Sequence, residues 1–251
     1  VLQGGGSLGA YECGVYKAID KLKIKIDVVA GTSIGGINSA IISASKSGHP
    51  AKDLEEFWLS LGHTSASPFF TERMRMISSS IYSAMWGNSN AFSPLWFKPS
   101  FEFFYNSPYL YDISPMKVTL EKFVDYTKLK DPSRPRLIVT STDIQNGKPS
   151  IFDSKYDTFT SDHVLASAGY PFYGIAWTKV SNRYLWDGTL LSNTPLSEVI
   201  DASPIRDKRV IIANLFPNTQ EELPHNMMES WHRARNIIHT DKTDQAVRMS
   251  K

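Results

Sequence analysis

The stretch IKIDVVAGTSIGGINSAIISAS (residues 24–45) decides the fold, because it joins a β-branched run to a run of small and apolar residues. The first run, 24–31, predicts a buried strand, and the second, 34–45, carries apolar residues at helical spacing. The junction contains Gly-Thr-Ser-Ile-Gly, a G-x-S-x-G pattern. Glycines on both sides permit a sharp strand–turn–helix that lifts the Ser33 hydroxyl clear of the sheet. Since the following helix N-terminus favours negative charge beside it, the pattern predicts a nucleophile.

Strand and helix patterns alternate on both sides of this junction. Strands are predicted at 1–3, 24–31, 136–143, 149–153, 183–189 and 209–216, and helices at 10–22, 34–45, 53–61, 114–124, 162–169 and 227–238. This order favours an α/β fold, a single domain over 1–251 with a mainly parallel sheet and covering helices.

Residues 64–112 differ in composition, with many Phe, Tyr, Trp, Met, Ser and Pro residues and frequent turn signals. We consider two interpretations of this aromatic-rich insertion. It is either a cap over the sheet or an irregular segment with a small core of its own.

Composition excludes several classes of function. A net charge of +2 over 251 residues, without a dense Lys/Arg block, argues against nucleic acid as a partner. No stretch approaches the roughly 18 apolar residues of a membrane span. The single cysteine, Cys13, rules out an internal disulfide and fits a reducing compartment, so we expect a cytoplasmic location. Because Val1 already lies in an apparent strand, we expect the native N-terminus to precede it.

The opening loop, GGGSLG (4–9), suits an oxyanion site. Gly4, Gly5 and Gly6 can expose successive backbone amides to a developing negative charge. A P-loop would need Gly-Lys-Ser/Thr after the glycines, and there is no such lysine. The glycines also fit the G-x-G-x-x-G spacing of dinucleotide sites, but the next strand does not end in the acidic residue that binds ribose.

A serine nucleophile needs a base, and the pattern favours Asp187 over histidine. Asp187 in WDGT ends a predicted strand at a glycine turn, where a carboxylate can face the same crevice as the serine. Asp143 ends another strand, but a structural role fits it better. None of the histidines follows a strand in a glycine-bounded turn, and we expect surface or capping roles for His49, His63, His163, His225, His232 and His239.

Three pieces together, GGGSLG (4–9), GTSIGG (31–36) and DGT (187–189), resemble the patatin-like phospholipases, and SNTPL (192–196) extends the resemblance. The resemblance implies a three-layer α/β/α fold and a metal-free, cofactor-free acyl hydrolase that works through an acyl-enzyme. Carried over position by position, it makes Ser33 the nucleophile and Asp187 the base of a catalytic dyad. The remaining positions that it implies are an oxyanion hole at Gly4, Gly5 and Gly6, and motif glycines at Gly9, Gly31, Gly35 and Gly188.

The sequence departs from the family pattern at three places. Leu8 stands where the family often has Arg or Lys, and Thr189 stands where a small residue is common. The segment ASAGYPFYGIAW (166–177) is bulkier than the family's proline-rich loop. Nucleophile, base and glycine loop are intact, so these departures bear on the choice of substrate more than on the chemistry.

The expected reaction is cleavage of fatty acyl esters of phospholipids or other lipids, with peripheral contact to a membrane. The alternatives are a thioesterase or acyltransferase that uses the same dyad, or a non-catalytic lipid-binding protein of the same fold. Aromatic and apolar residues of the insertion would line an acyl pocket, namely Phe69, Phe70, Met74, Trp86 and Trp96. The sequence does not indicate an oligomeric state.

Overall fold

The computed structural model describes residues 1–62, 71–97, 107–203 and 208–249. The helices are α1 (Ala10–Lys21), α2 (Ile34–Ser43), α3 (Pro50–Leu61), α4 (Glu72–Trp86), α5 (Ser114–Phe123), α6 (Ser161–Leu165), α7 (Leu196–Ala202) and α8 (Met227–Met249). The strands are β1 (Val28–Thr32), β2 (Ser93–Pro94), β3 (Tyr111–Asp112), β4 (Arg136–Asp143), β5 (Pro149–Asp153), β6 (Thr178–Val180) and β7 (Arg183–Asp187). Short 3₁₀ turns lie at Gly6–Gly9, Leu95–Phe97, Tyr126–Lys130, Pro171–Tyr173 and Gly188–Leu190.

Strand β4 organises the central sheet. β1 runs parallel to its residues 136–140, whereas β7 runs antiparallel to its residues 141–143. β5 is antiparallel to residues 138–142 and so overlaps both partners. Because a strand residue has one neighbour on each edge, β5 occupies one edge of β4, and β1 and β7 follow one another along the other. β6 extends the sheet beyond β7.

This register brings two distant chain segments together. Thr32, the last residue of β1, pairs with Thr140, and Asp187, the last residue of β7, pairs with the adjacent Ser141. The residue after β1 and the residue that ends β7 therefore meet at one point beside β4.

The parallel part of the sheet continues through single bridges. Leu2 bridges Gly31 on one side and Ala213 on the other, both in parallel. The predicted strand over 209–216 was wrong, because only Ala213 of that run pairs and Ile211 is 47% exposed. The run lies at the edge of the sheet. Its neighbour there offers one bridging residue, Leu2, and does not form a strand long enough for the whole run to pair with.

Helices cover both faces of the sheet. α2 packs over β1 and β4, where Gly31 has no Cβ and a Cβ on Gly36 would lie 3.3 Å from Val139. Thr32 points to the opposite face, and its hydroxyl donates to the Ser192 carbonyl at 2.8 Å, just ahead of α7. Helices on both faces around a parallel β1–β4 centre confirm the predicted α/β fold class. The largest fully buried apolar side chains include Phe57, Phe152, Ile41, Ile42, Leu54 and Leu120.

One helix start differs from the sequence prediction. The pattern at Asp53 and Glu56 predicts a capping box, but α3 begins at Pro50. Asp53 is buried, and its Oδ2 accepts hydrogen bonds from the Ser45 hydroxyl at 2.6 Å and the Ser47 amide at 3.0 Å. From the first turn of α3, the Asp53 carboxylate therefore stabilises the loop before the helix, and these two donors satisfy its buried oxygen.

The aromatic-rich insertion is described at 71–97 and 107–112. It contributes α4 and a small antiparallel ribbon of β2 and β3. Two side-chain hydrogen bonds hold the last turn of α4. The Tyr111 hydroxyl donates to the Ala84 carbonyl, and the Trp96 indole donates to the Met85 carbonyl. Within the described ranges, none of the helices combines the length and the apolar character needed to cross a bilayer.

Candidate active site

Ser33 adopts a strained backbone conformation at the junction of β1 and α2. Its φ of 56° and ψ of −125° are unusual for a residue with a side chain and cost about 1–3 kcal/mol. A Cβ on Gly31 would lie 2.5 Å from the Gly36 nitrogen, and one on Gly35 would lie 2.6 Å from the Leu2 carbonyl carbon. Both glycines are therefore required. Gly31 allows the tight turn, and Gly35 allows the backbone of Leu2 to pass close to it.

The strained backbone is held by hydrogen bonds on both sides of Ser33. Its amide donates to the Ser167 hydroxyl at 2.7 Å, and its carbonyl accepts from the amides of Gly36 and Ile37 at 3.0 and 3.2 Å. Ser167 is fully buried. Ser167 was not predicted as a site residue, because a serine in the run ASAG has no local feature that indicates a partner 134 residues away.

Asp187 ends β7 with only 1% of its surface exposed. Its Oδ1 accepts the Thr189 amide at 2.8 Å, its own amide donates to the Gly169 carbonyl at 3.0 Å, and its carbonyl accepts the Thr142 hydroxyl at 3.0 Å. A Cβ on Gly188 would lie 2.7 Å from the Thr140 hydroxyl. The carboxylate is therefore held in one orientation at the strand end.

Gly4 lies directly against the serine. A Cβ there would fall 3.0 Å from the Ser33 Cβ and 2.7 Å from the Thr189 hydroxyl. The Gly4 amide is already engaged, since it donates to the Asn193 carbonyl at 3.2 Å. The amides of Gly5 and Gly6 donate to no residue of the described chain. Of the three amides predicted for an oxyanion site, two are therefore available and the third positions the loop.

Asn193 and Thr189 hold the glycine loop in place. The Asn193 side-chain amide donates to the Gly4 carbonyl at 3.2 Å, and the Thr189 hydroxyl donates to the Asn193 Oδ1 at 2.9 Å. Thr189 is the β-branched residue that departs from the family pattern. Its hydroxyl orients the asparagine that fixes the loop, which gives this departure a physical reason.

Ser33, Asp187 and Gly4, Gly5 and Gly6 all line one cavity of about 690 Å³. Its walls are largely apolar. They include Ile34, Ile37, Trp58, Leu61, Ala91, Phe92, Ile113, Met116, Ile175 and Phe216. Such a volume and lining suit an extended apolar ligand.

The insertion lines this cavity through residues other than those predicted. Ser79 and Ser83 of α4 and Phe92 of the following loop face it. Met74, Trp86 and Trp96 do not line it, and both Met74 and Trp86 are more than half exposed. The predictions for Phe69 and Phe70 lie outside the described residues. Exposed side chains on α4 belong to its outer face, whereas small serines form its inner face.

Two residues of α8, Arg235 and His239, also line the cavity. His239 is 4% exposed and packs against Phe216 with ring centroids 4.7 Å apart and the rings tilted by 36°. The prediction of a surface or capping role was therefore wrong for His239. It holds for His163, which forms a capping box with Thr160 at the start of α6.

Two further groups define the site's surroundings. Burial raises the pKa of the cavity-lining Tyr170 hydroxyl, with smaller contributions from Tyr173 and the charge of Asp187. Asp143 lies outside the cavity, and its Oδ1 accepts the amides of Gln145 and Asn146 in the turn after β4. Asp143 has the structural role expected from the sequence.

Comparison with known proteins places these features in a family. The sequence model described as "Patatin-like phospholipase" matches residues 1–200. A "cGAMP-activated phospholipase" of Escherichia coli (strain TW11681) is 26% identical over 216 residues, which is 77% of this chain and 52% of that protein. "Lysophospholipase nte1" of Aspergillus terreus is 49% identical over 41 residues, 16% of this chain and 3% of that protein.

The chain spans about half the length of the E. coli relative and a small part of the A. terreus relative. Among solved structures, VipD from Legionella pneumophila aligns with a TM-score of 0.43 at 15% identity, over 77% of this chain and 46% of VipD. The family match covers most of the chain and includes the glycine loop (4–9), the strand–turn–helix at Ser33 and the strand-end Asp187. The chain belongs to the patatin-like phospholipase family.

Proposed function

We propose that this protein hydrolyses fatty acyl esters of phospholipids or related lipids with a Ser33–Asp187 dyad. The observation that carries the proposal is that Ser33, Asp187, Gly5 and Gly6 line a single cavity with apolar walls. Nucleophile, base, oxyanion donors and a space for an acyl chain are the parts that ester cleavage requires.

In the first half of the proposed reaction, the Ser33 hydroxyl attacks the ester carbonyl and its proton passes to the Asp187 carboxylate. The amides of Gly5 and Gly6 receive the negative charge that develops on the carbonyl oxygen. The alcohol then leaves with the proton from Asp187, and the acyl group remains on Ser33.

In the second half, water attacks the acyl-enzyme while Asp187 takes its proton. Ser33 recovers its hydroxyl and the fatty acid departs. No metal or cofactor takes part in this proposal. Asp187 is the one carboxylate that lines the cavity within the described part of the chain.

The proposal is tested by labelling with a fluorophosphonate probe, which reacts with activated serines. Wild type should be labelled, and Ser33→Ala should lose the label and about 1,000-fold of its turnover of a p-nitrophenyl ester. Ser133→Ala, in an exposed turn that does not line the cavity, is the matched control and should behave as wild type. Labelling that persists in Ser33→Ala would contradict the nucleophile assignment.

The assignment of Asp187 as the base is tested by comparing the activity lost on substitution of two cavity residues, Asp187 and His239. Asp187→Asn should lower kcat about 100-fold or more, whereas His239→Asn should retain most of the activity. The comparison matters because His239 is the one histidine that lines the cavity among the described residues. The opposite ranking would replace the Ser–Asp dyad with a serine–histidine arrangement.

A further inference from the structure

Arg235 is the one lysine or arginine that lines the cavity within the described ranges. Its guanidinium is positioned from three sides. Nη1 donates to the Tyr173 hydroxyl at 3.1 Å, and the group lies 5.5 Å from the centre of the Phe216 ring and 5.6 Å from that of Trp231. Aromatic faces hold a guanidinium in a fixed plane and leave its edges free to donate hydrogen bonds.

The charge of Arg235 has no counter-ion in the part of the chain that the structure describes. No carboxylate of the described residues forms an ion pair with it. Its Nε is buried without a hydrogen-bond partner among those residues. Since a buried donor without an acceptor costs free energy, the arrangement suits an anion that comes from outside the protein.

We propose that Arg235 binds the phosphate group of the lipid substrate while the ester lies at Ser33, and so selects phospholipids over neutral lipids. This inference rests on the proposed hydrolase function. A phospholipid carries its phosphate a few bonds from its acyl esters, so both groups fit within one cavity. Guanidinium is the side chain best matched to a phosphate, because its planar donors pair with two oxygens at once.

The glycine loop offers no such charge on its own side. Leu8 is apolar and does not line the cavity. Arg235, more than 200 residues later in the chain, therefore provides the positive charge from α8, a helix that the family match over 1–200 does not include. In this proposal, the residue that recognises phosphate therefore lies on α8.

The experiment compares two lipids with identical acyl chains, dioleoylphosphatidylcholine and dioleoylglycerol, in the same mixed micelles. Arg235→Gln should lower kcat/KM for the phospholipid about 10- to 100-fold and leave kcat/KM for the diacylglycerol unchanged. Arg235→Lys should fall between wild type and Arg235→Gln, because it keeps the charge and loses the paired donors.

Arg233→Gln is the matched control. Arg233 lies on the same helix but outside the cavity, and its guanidinium donates to the carbonyls of Pro217 and Asn218. It should alter neither substrate's kinetics.

Equal losses on both lipids in Arg235→Gln would show that Arg235 only packs α8 against the cavity, and would overturn the inference. Unchanged kinetics on both lipids would overturn it as well. If wild type cleaves neither lipid and is not labelled at Ser33, the hydrolase proposal fails and this inference fails with it. The two preceding outcomes, in which wild type is active, overturn this inference alone.

Discussion

At the scale of single residues, the glycine loop shows how one missing Cβ makes room for the site. A Cβ on Gly4 would collide with three side chains at once, those of Ser33, Thr189 and Asn193. Gly14, in the exposed middle of α1, has no heavy atom within 4 Å of the position that a Cβ would take. The same substitution should therefore have opposite consequences at the two positions.

We expect Gly4→Ala to lower kcat about 100-fold, because the new methyl group would push the loop and Ser33 apart. Gly14→Ala should instead raise the free energy of unfolding by about 0.5–1 kcal/mol, since alanine loses less backbone entropy in a helix. Ester turnover and urea unfolding of both variants measure the two effects. A fully active Gly4→Ala would contradict the close packing of the loop on the serine.

At the scale of elements, a buried network of hydrogen-bonded polar side chains joins three helices beneath the glycine loop. Glu12 of α1 accepts the Asn38 side-chain amide at 2.7 Å, and the same amide reaches the Gly9 carbonyl at 3.0 Å. The indole of Trp58 in α3 donates to the Asn38 Oδ1 at 3.1 Å. Burial raises the pKa of Glu12 to about 8, although the bond from Asn38 opposes this shift. Glu12 is therefore protonated in the folded protein at neutral pH.

Stability should fall as the pH rises, because folding takes up a proton on Glu12. This contribution is fully present below about pH 4.5 and is lost as the pH rises through about 8. Relative to Glu12→Gln, whose side chain cannot ionise, wild type should lose about 1.4 kcal/mol per pH unit between pH 5 and 8.

Urea unfolding at several pH values measures this difference. Glu55→Gln is the control, because Glu55 is half exposed and its ion pair with Lys17 lies on the surface. Its stability should follow the wild-type pH profile. A constant difference between wild type and Glu12→Gln across this range would count against a protonated Glu12.

At the scale of the whole molecule, the cavity lies at the sheet edge, and helices from distant parts of the chain, α4 and α8 among them, line it. α4 supplies serines to the inside, while its outer face exposes Ile81, Tyr82, Met85 and Trp86, each more than 40% accessible. An exposed apolar face beside the cavity suits contact with a lipid surface.

Replacing Met85 and Trp86 together by serine should slow hydrolysis of phospholipid vesicles about threefold or more through weaker membrane binding. Turnover of a monomeric p-nitrophenyl butyrate should stay at the wild-type level. Tyr156→Ser removes an exposed aromatic residue that does not line the cavity and serves as the control. Equal loss on vesicles and on the monomeric ester would indicate damage to the site instead of reduced membrane contact.

The parts of the site that local chemistry specifies could be predicted from the sequence. The strand–turn–helix at Ser33 needs Gly31 and Gly35, which lie within a few residues of it, and Asp187 is followed at once by the glycine that its turn requires. Ser167 holds the Ser33 amide and Asn193 holds the Gly4 carbonyl, and neither contact was predicted because these hydrogen bonds cross 134 and 189 residues. The predicted strand over 209–216 was wrong for a related reason, since pairing depends on the neighbouring segment and not on β propensity alone.

By itself, the sequence determined the α/β class, the strand–turn–helix at Ser33 and the carboxylate at a strand end, because each depends on neighbours along the chain. Only the tertiary structure decided that Asp187 pairs beside Thr140, that the Gly4 amide is engaged, and that Arg235 and His239 enter the cavity. Those placements depend on β4 aligning β1 with β7 and on α8 packing near the sheet edge, and such long-range contacts leave no periodic trace in the residues that make them.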